Sequence, residues 1–182
     1  MTTTSALIVI DMQLVAFDGQ VTPSITNGAR LLKSVSQLIE MCRISAIEPI
    51  FVQTCAISGQ PYAKDVHGWE IHPQLAAQAN DRVVYKRNSS GFDNTDLQEV
   101  LDGLGVNTLI ICGIWSEFCV ANTGMDAVEL GFEVYVAADG HGTVSNSEEA
   151  ANDIVARQND RLSELDISVL TISQLRRKLT MR

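Results

Sequence analysis

Ala6–Ile10 reads ALIVI, apolar at every position, and stops abruptly at Asp11. A strand with one wet face alternates apolar and polar residues, whereas a strand buried on both faces is apolar throughout. The run therefore demands covering layers on both sides. Similar short runs follow at Ile50–Val52, Arg82–Tyr85, Thr108–Ile111, Phe132–Ala137 and Ile167–Leu170. Between them lie stretches of helical periodicity. Ile25–Arg43 carries Ile25, Ala29, Leu32, Val35, Ile39 and Cys42 on one face, after the starter Thr22-Pro23-Ser24. Helices are also predicted over Asn94–Leu104, from near Cys119 to Leu130, over Asn146–Leu165 and over Ser173–Leu179. Apolar strands alternating with helices specify an α/β fold: a parallel sheet between two helical layers. The 182 residues contain no repeat or linker-like stretch, so residues 1–182 are expected to form one domain.

Charge and cysteine content narrow the function classes. A net charge of −9 leaves no basic surface for phosphates, so nucleic acid is not an expected partner. The first apolar run is too short for a signal peptide or a membrane span, and no later run is longer. Cys42, Cys55, Cys112 and Cys119 form no CxxC pair, which together with the absent signal segment suggests a reducing compartment and a cytoplasmic location.

In an open parallel sheet, ligands bind beyond the carboxyl ends of the strands. Those ends carry Asp11-Met12-Gln13, then Lys86-Arg87-Asn88, then Gly113-Ile114-Trp115-Ser116-Glu117-Phe118-Cys119, then Asp139-Gly140-His141. An acid, a lysine and a cysteine at such ends suit nucleophilic catalysis. A thiol needs a base to take its proton, and a nearby cation stabilises the thiolate. The helix predicted to start near Cys119 adds its dipole in the same sense. Cys112 and Cys42 fall on apolar stripes and read as core. Gln53–Pro73 is long and irregular, as substrate lids often are.

The segments ALIVIDMQ, VVYKRNSSGFDNTDL and TLIICGIWSEFCVANTGMDAVELGFEVYVAADG resemble the isochorismatase-like cysteine hydrolases. That family includes nicotinamidases, N-carbamoylsarcosine amidases and ureidoacrylate amidohydrolases. The resemblance runs from the first strand to about Asp139. It implies a six-stranded sheet in the order 3-2-1-4-5-6 and a catalytic triad of Asp11, Lys86 and Cys119. It also implies an oxyanion hole from the backbone N–H groups of Trp115 and Cys119, with a non-proline cis peptide between Ile114 and Trp115. The implied reaction is hydrolysis of a C–N bond in a small amide or ureide through a thioester. Trp115 departs from the family pattern, which usually has a small residue there.

Gln13, Phe17, Trp69, Phe92 and Trp115 are the expected substrate-binding residues, and their aromatics suit a small, flat or partly apolar acyl group. Metal-binding relatives place an Asp-x-His after strand two, where this chain has Gln53-Thr54-Cys55. Asp65, His67, Glu70 and His72 lie close together further along, but the expectation is no metal and no cofactor. The resemblance, with Tyr62, Trp69 and Trp115 as possible interface aromatics, suggests a homo-oligomer. Three alternatives stand beside this reading: an inactive binding or scaffold relative, an esterase-like Cys119–Asp139–His141 triad, and a dinucleotide-binding protein. The esterase reading lacks glycines flanking Cys119 for a nucleophile elbow. The dinucleotide reading has only Gly140-His141-Gly142, with Ser145 where a third glycine is needed.

Overall fold

The computed structural model describes residues 4–180. Its strands are β1 (Ser5–Ile10), β2 (Glu48–Thr54), β3 (Arg82–Lys86), β4 (Thr108–Ile114), β5 (Glu133–Gly142) and β6 (Ile167–Leu170). They form one sheet in the order β3-β2-β1-β4-β5-β6, with every neighbouring pair parallel. The helices are α1 (Gly28–Ile44), α2 (Leu97–Gly103), α3 (Ala121–Glu129), α4 (Ala151–Ser163) and α5 (Ile172–Thr180).

The two-residue alternation of a strand splits its apolar side chains between two cores. Leu7 and Val9 of β1, with Ile110, Cys112 and Ile114 of β4, meet Leu31, Leu32, Val35, Leu38, Ile39 and Cys42 of α1 and Leu175 of α5. Ala6, Ile8 and Ile10, with Leu109 and Ile111, face Leu97 and Leu101 of α2, Ala121 and Ala127 of α3, and Leu162 of α4. That division is why β1 has to be apolar at every position.

Several element boundaries differ from the sequence pattern, each through a local polar contact. Thr22 does not start α1; its hydroxyl donates to the Val15 carbonyl (2.8 Å), and the helix begins after Asn27 in a left-handed conformation. Residues 146–150 are not helical. Asn146 Oδ1 accepts the N–H groups of Glu148 and Glu149, and Ser145 Oγ accepts that of Ala151, so α4 begins five residues late. Asn94 and Thr95 precede α2, where Thr95 Oγ1 donates to the Gly91 carbonyl and accepts the Leu97 N–H. β5 runs on through Asp139-Gly140-His141, because the β4–β5 register shifts between Ile111 and Gly113. Asp139 then turns away from the sheet's carboxyl edge and accepts the N–H of Ile172 at the start of α5 (2.8 Å).

Gly113 marks that irregularity. Its φ is +123°, and a Cβ there would lie 2.1 Å from the Ile10 carbonyl oxygen. Only glycine lets β4 pass β1 so closely, one residue before the bond into Trp115. Gly113→Ala is expected to cost about 3 kcal/mol or more in urea denaturation. Gly103→Ala, where a Cβ meets nothing within 4 Å, should stay within about 1 kcal/mol of the parent.

Candidate active site

Asp11, Lys86 and Cys119 meet beyond the carboxyl ends of β1, β3 and β4. Asp11 ends β1 in the left-handed region (φ 51°), which is costly for a residue other than glycine and aims its carboxylate across β2. Lys86 Nζ lies 2.8 Å from Asp11 Oδ2 and 3.3 Å from Cys119 Sγ. All three are buried, at 2%, 1% and 8% exposure respectively. Cys119 sits within a π-helical turn, Ser116–Val120, that precedes α3. The Phe118 and Val120 N–H groups both donate to the Trp115 carbonyl at 3.1 Å, and the Ile114–Trp115 peptide is cis.

Thr54, the last residue of β2, completes the cluster. Its N–H (2.9 Å) and hydroxyl (2.8 Å) donate to Asp11 Oδ1, and its Oγ1 accepts from Lys86 Nζ at 2.9 Å. The Asn88 carbonyl takes a further Lys86 proton at 3.2 Å. Thr54 carries no catalytic motif, so sequence reasoning passed over it. The signal was its position, since β2 also ends at the sheet's carboxyl edge.

Burial works against the Lys86 charge, but Asp11 and Cys119 outweigh it and hold the ammonium pKa above its ordinary value. The Cys119 thiol is pushed up to about 11 by burial and then by the Asp11 carboxylate, against the opposing pull of Lys86. The environment of the free protein therefore holds this thiol protonated at neutral pH. Burial and Asp11 thus outweigh the Lys86 charge that was expected to favour the thiolate. Thiol and acid are instead poised to exchange a proton.

The other expected residues divide. Gln13 is buried with its side-chain amide fully used. Its Nε2 donates to the carbonyls of Thr54 (3.1 Å) and Trp69 (2.7 Å), and its Oε1 accepts the Thr54 N–H. Gln53 Nε2 donates to the same Trp69 carbonyl. Together they clamp the segment between β2 and β3 over the site, and Gly68 lets that segment dock on the Val15 N–H (2.8 Å), where a Cβ would clash at 2.6 Å. Trp69 stacks on Tyr85, with Lys64 Nζ over both rings. Phe17 meets His72 edge-on. Trp115 is half-buried and packs against both cores beside Cys119. Phe92 is not brought to the site; it stacks on Phe132, which lies beyond the far end of α3. A cavity of about 490 Å³ opens beside Lys86, lined also by Cys55, Lys64, Tyr85 and Arg87.

The possible metal ligands have separate partners: Asp65 accepts from Ser58, His67 pairs with Asp18, and His72 Nδ1 accepts the Gln74 N–H. Among the described residues, no three His, Cys, Asp or Glu side chains gather as a metal site. The nitrogens of His141 face Ser116 (2.8 Å) and Asn159 (2.9 Å), and burial lowers its pKa. That hydrogen bonding does not form the Cys119–Asp139–His141 arrangement, and Asp139 is taken up by α5.

The isochorismatase domain model matches residues 5–161. The chain belongs to the isochorismatase family. A streptothricin hydrolase from Streptomyces noursei is 30% identical over 87% of this chain and 58% of its own length. This chain thus spans little more than half of that relative. Nicotinamidase 3 of Arabidopsis thaliana is 28% identical over 76% of this chain and 73% of the relative. The crystal structure of an isochorismatase-like hydrolase from Alkaliphilus metalliredigens superposes with a TM-score of 0.82 at 28% identity, covering 97% of this chain and 99% of the other. No helix among the described residues is long and apolar enough to cross a membrane.

The raised thiol pKa has a stability consequence with a definite sign. The unfolded thiol ionises near 9 and the folded one near 11, so the native state holds its proton to higher pH. Its contribution is whole below pH 9 and is lost as the pH climbs from 9 through 11. Cys42, pushed by burial up to about 12, acts in the same direction. Urea denaturation should show stability falling between pH 9 and 10.5, and Cys119→Ala should make that fall shallower. A fall of unchanged slope would contradict the assignment.

Proposed function

We propose that this member of the isochorismatase family is a cysteine amidohydrolase that cleaves the C–N bond of a small amide or ureide. One observation carries the reading: Lys86 Nζ touches both the Asp11 carboxylate and the Cys119 sulfur within one buried cluster. The names of the streptothricin hydrolase and nicotinamidase relatives support the same bond class.

In this mechanism Cys119 Sγ attacks the substrate's carbonyl carbon while its proton passes to Asp11. The backbone N–H groups of Trp115 and Cys119 receive the oxyanion. Collapse of the tetrahedral intermediate breaks the C–N bond, and protonated Asp11 gives its proton to the departing nitrogen. Asp11 then takes a proton from water as that water attacks the thioester carbonyl. Breakdown releases the acid, and the proton returns to the sulfur. Lys86 stays charged throughout, compensating whichever neighbour is anionic.

Trp115 forms a wall of the proposed acyl pocket, and Trp69 and Phe17 border the loop above it. No step calls for a Lewis acid, and the proposed enzyme works without a metal. We also propose a homo-oligomer. The loop aromatics do not support it, since Tyr62, Trp69 and Trp115 pack within the chain. The support is the resemblance to a family whose members commonly assemble.

Ammonia release across a panel of amides, ureides and hydroxamates tests the chemistry. Cys119→Ala should lower turnover of the best substrate by about a thousandfold or more while keeping a cooperative melt. Near-normal turnover would refute the covalent route. Activity lost to a chelator and restored by zinc, iron or manganese would overturn the metal-free proposal. Light scattering that returned the mass of one chain would remove the oligomer.

A further inference from the structure

Tyr62 is the one residue of the segment over the site whose placement its own contacts do not explain. Its backbone is in the left-handed region (φ 67°), unusual for a bulky side chain and held by a hydrogen bond from the Ala56 N–H to its carbonyl (3.2 Å). Its ring packs with Phe17, Ile71 and Trp115 against the core on the α1 side of the sheet. Its hydroxyl is shut off from solvent and has no hydrogen-bond partner of ordinary geometry. A buried phenol without a partner is costly, and such groups in native proteins call for a reason.

The hydroxyl's polar neighbours are Asp11, Cys119 and Trp115, and none of them makes a hydrogen bond of ordinary geometry to it. The phenol's hydrogen is therefore free to donate, and a substrate oxygen is the group that can take it. It does not reach Asp11, whose Oδ1 accepts from Thr54 and whose Oδ2 faces Lys86. Burial, and after it the Asp11 carboxylate, raises the phenol's pKa, so it remains a donor through neutral pH.

We propose that the Tyr62 hydroxyl is a substrate-recognition group, donating its hydrogen bond to an oxygen on the acyl side of the amide or ureide attacked by Cys119. The proposal deepens the hydrolase reading and names a requirement on the substrate: an oxygen acceptor within reach of the reacting sulfur. Strained backbone and an unsatisfied donor are then features of the free protein that a bound ligand relieves.

Tyr62→Phe keeps the ring and removes only the hydroxyl. Because the hydroxyl has no partner in the free protein, the variant should melt higher, by roughly 2–8 °C. Alkylation followed by mass spectrometry reads recognition without needing turnover. Iodoacetamide carries an amide oxygen, iodoethane does not, and Cys55 in the same chain serves as the reference thiol. The variant should slow iodoacetamide labelling of Cys119 relative to Cys55 roughly three- to tenfold, and leave iodoethane labelling within twofold. An unchanged iodoacetamide rate, an equal loss with both reagents, or a lower melting temperature would each overturn the proposal. If wild-type protein released no ammonia from any amide while this labelling pattern held, the hydrolase reading would fall and the Tyr62 assignment would stand.

Discussion

A lysine buried at 1% exposure at the carboxyl edge of a sheet is stable only if something answers its charge. Lys86 has Asp11 at 2.8 Å, with Thr54 Oγ1, the Asn88 carbonyl and Cys119 Sγ sharing its other protons. Removing one member of such a pair typically costs about 3–5 kcal/mol, because the other is left buried and uncompensated. The ends of β1, β2 and β3 are therefore tied to one another electrostatically as well as through the ladder. Cys119 enters this arrangement as the fourth party. Its sulfur lies where the ammonium is already oriented, so no reorganisation is needed when charge reaches it.

The same edge explains the buried glutamines. A long segment crosses over the site between β2 and β3, and its backbone needs partners once water is excluded. Gln13 and Gln53 both supply the Trp69 carbonyl, and residues 12–15 pair with the segment's Gly68, Glu70 and His72. Gln13 looked like a ligand contact because it stands two residues after Asp11, where a strand end meets the pocket. Its amide instead bonds both backbone groups of Thr54 at the end of β2 and, through Nε2, the Trp69 carbonyl of the cover. That cover excludes water from the thiol and carries Tyr62 and Trp69 to their positions.

The strands and the reactive residues at their ends were legible in the apolar runs, while the strand order and the grouping of Asp11, Lys86 and Cys119 as a triad were implied by the family resemblance. Helix starts were less legible. Thr22, Asn146 and Thr95 each satisfy backbone groups in a turn, which competes with capping a helix at the position their type suggests. Phe92 was expected at the pocket as one of the chain's candidate aromatics. Gly91, Thr95 and Thr123 bend that segment toward α3, and the ring finds Phe132. Asp139 and His141 were read as lying at a strand end; the register shift opposite Gly113 draws them into β5.

By itself the sequence determined the layer architecture, the parallel direction of the strands and the chemical types available at the sheet's edge. Those follow from hydrophobic periodicity and from the residues after each apolar run, which are local in the chain. Only the tertiary structure decided that Thr54 bridges acid and lysine, that the thiol stays protonated beside Asp11, and that Tyr62 brings an unpaired hydroxyl to the site. Each depends on desolvation and on distances between atoms far apart in sequence. The free energy of a buried charge or donor is set by what surrounds it in space, and no single segment of the chain contains that information.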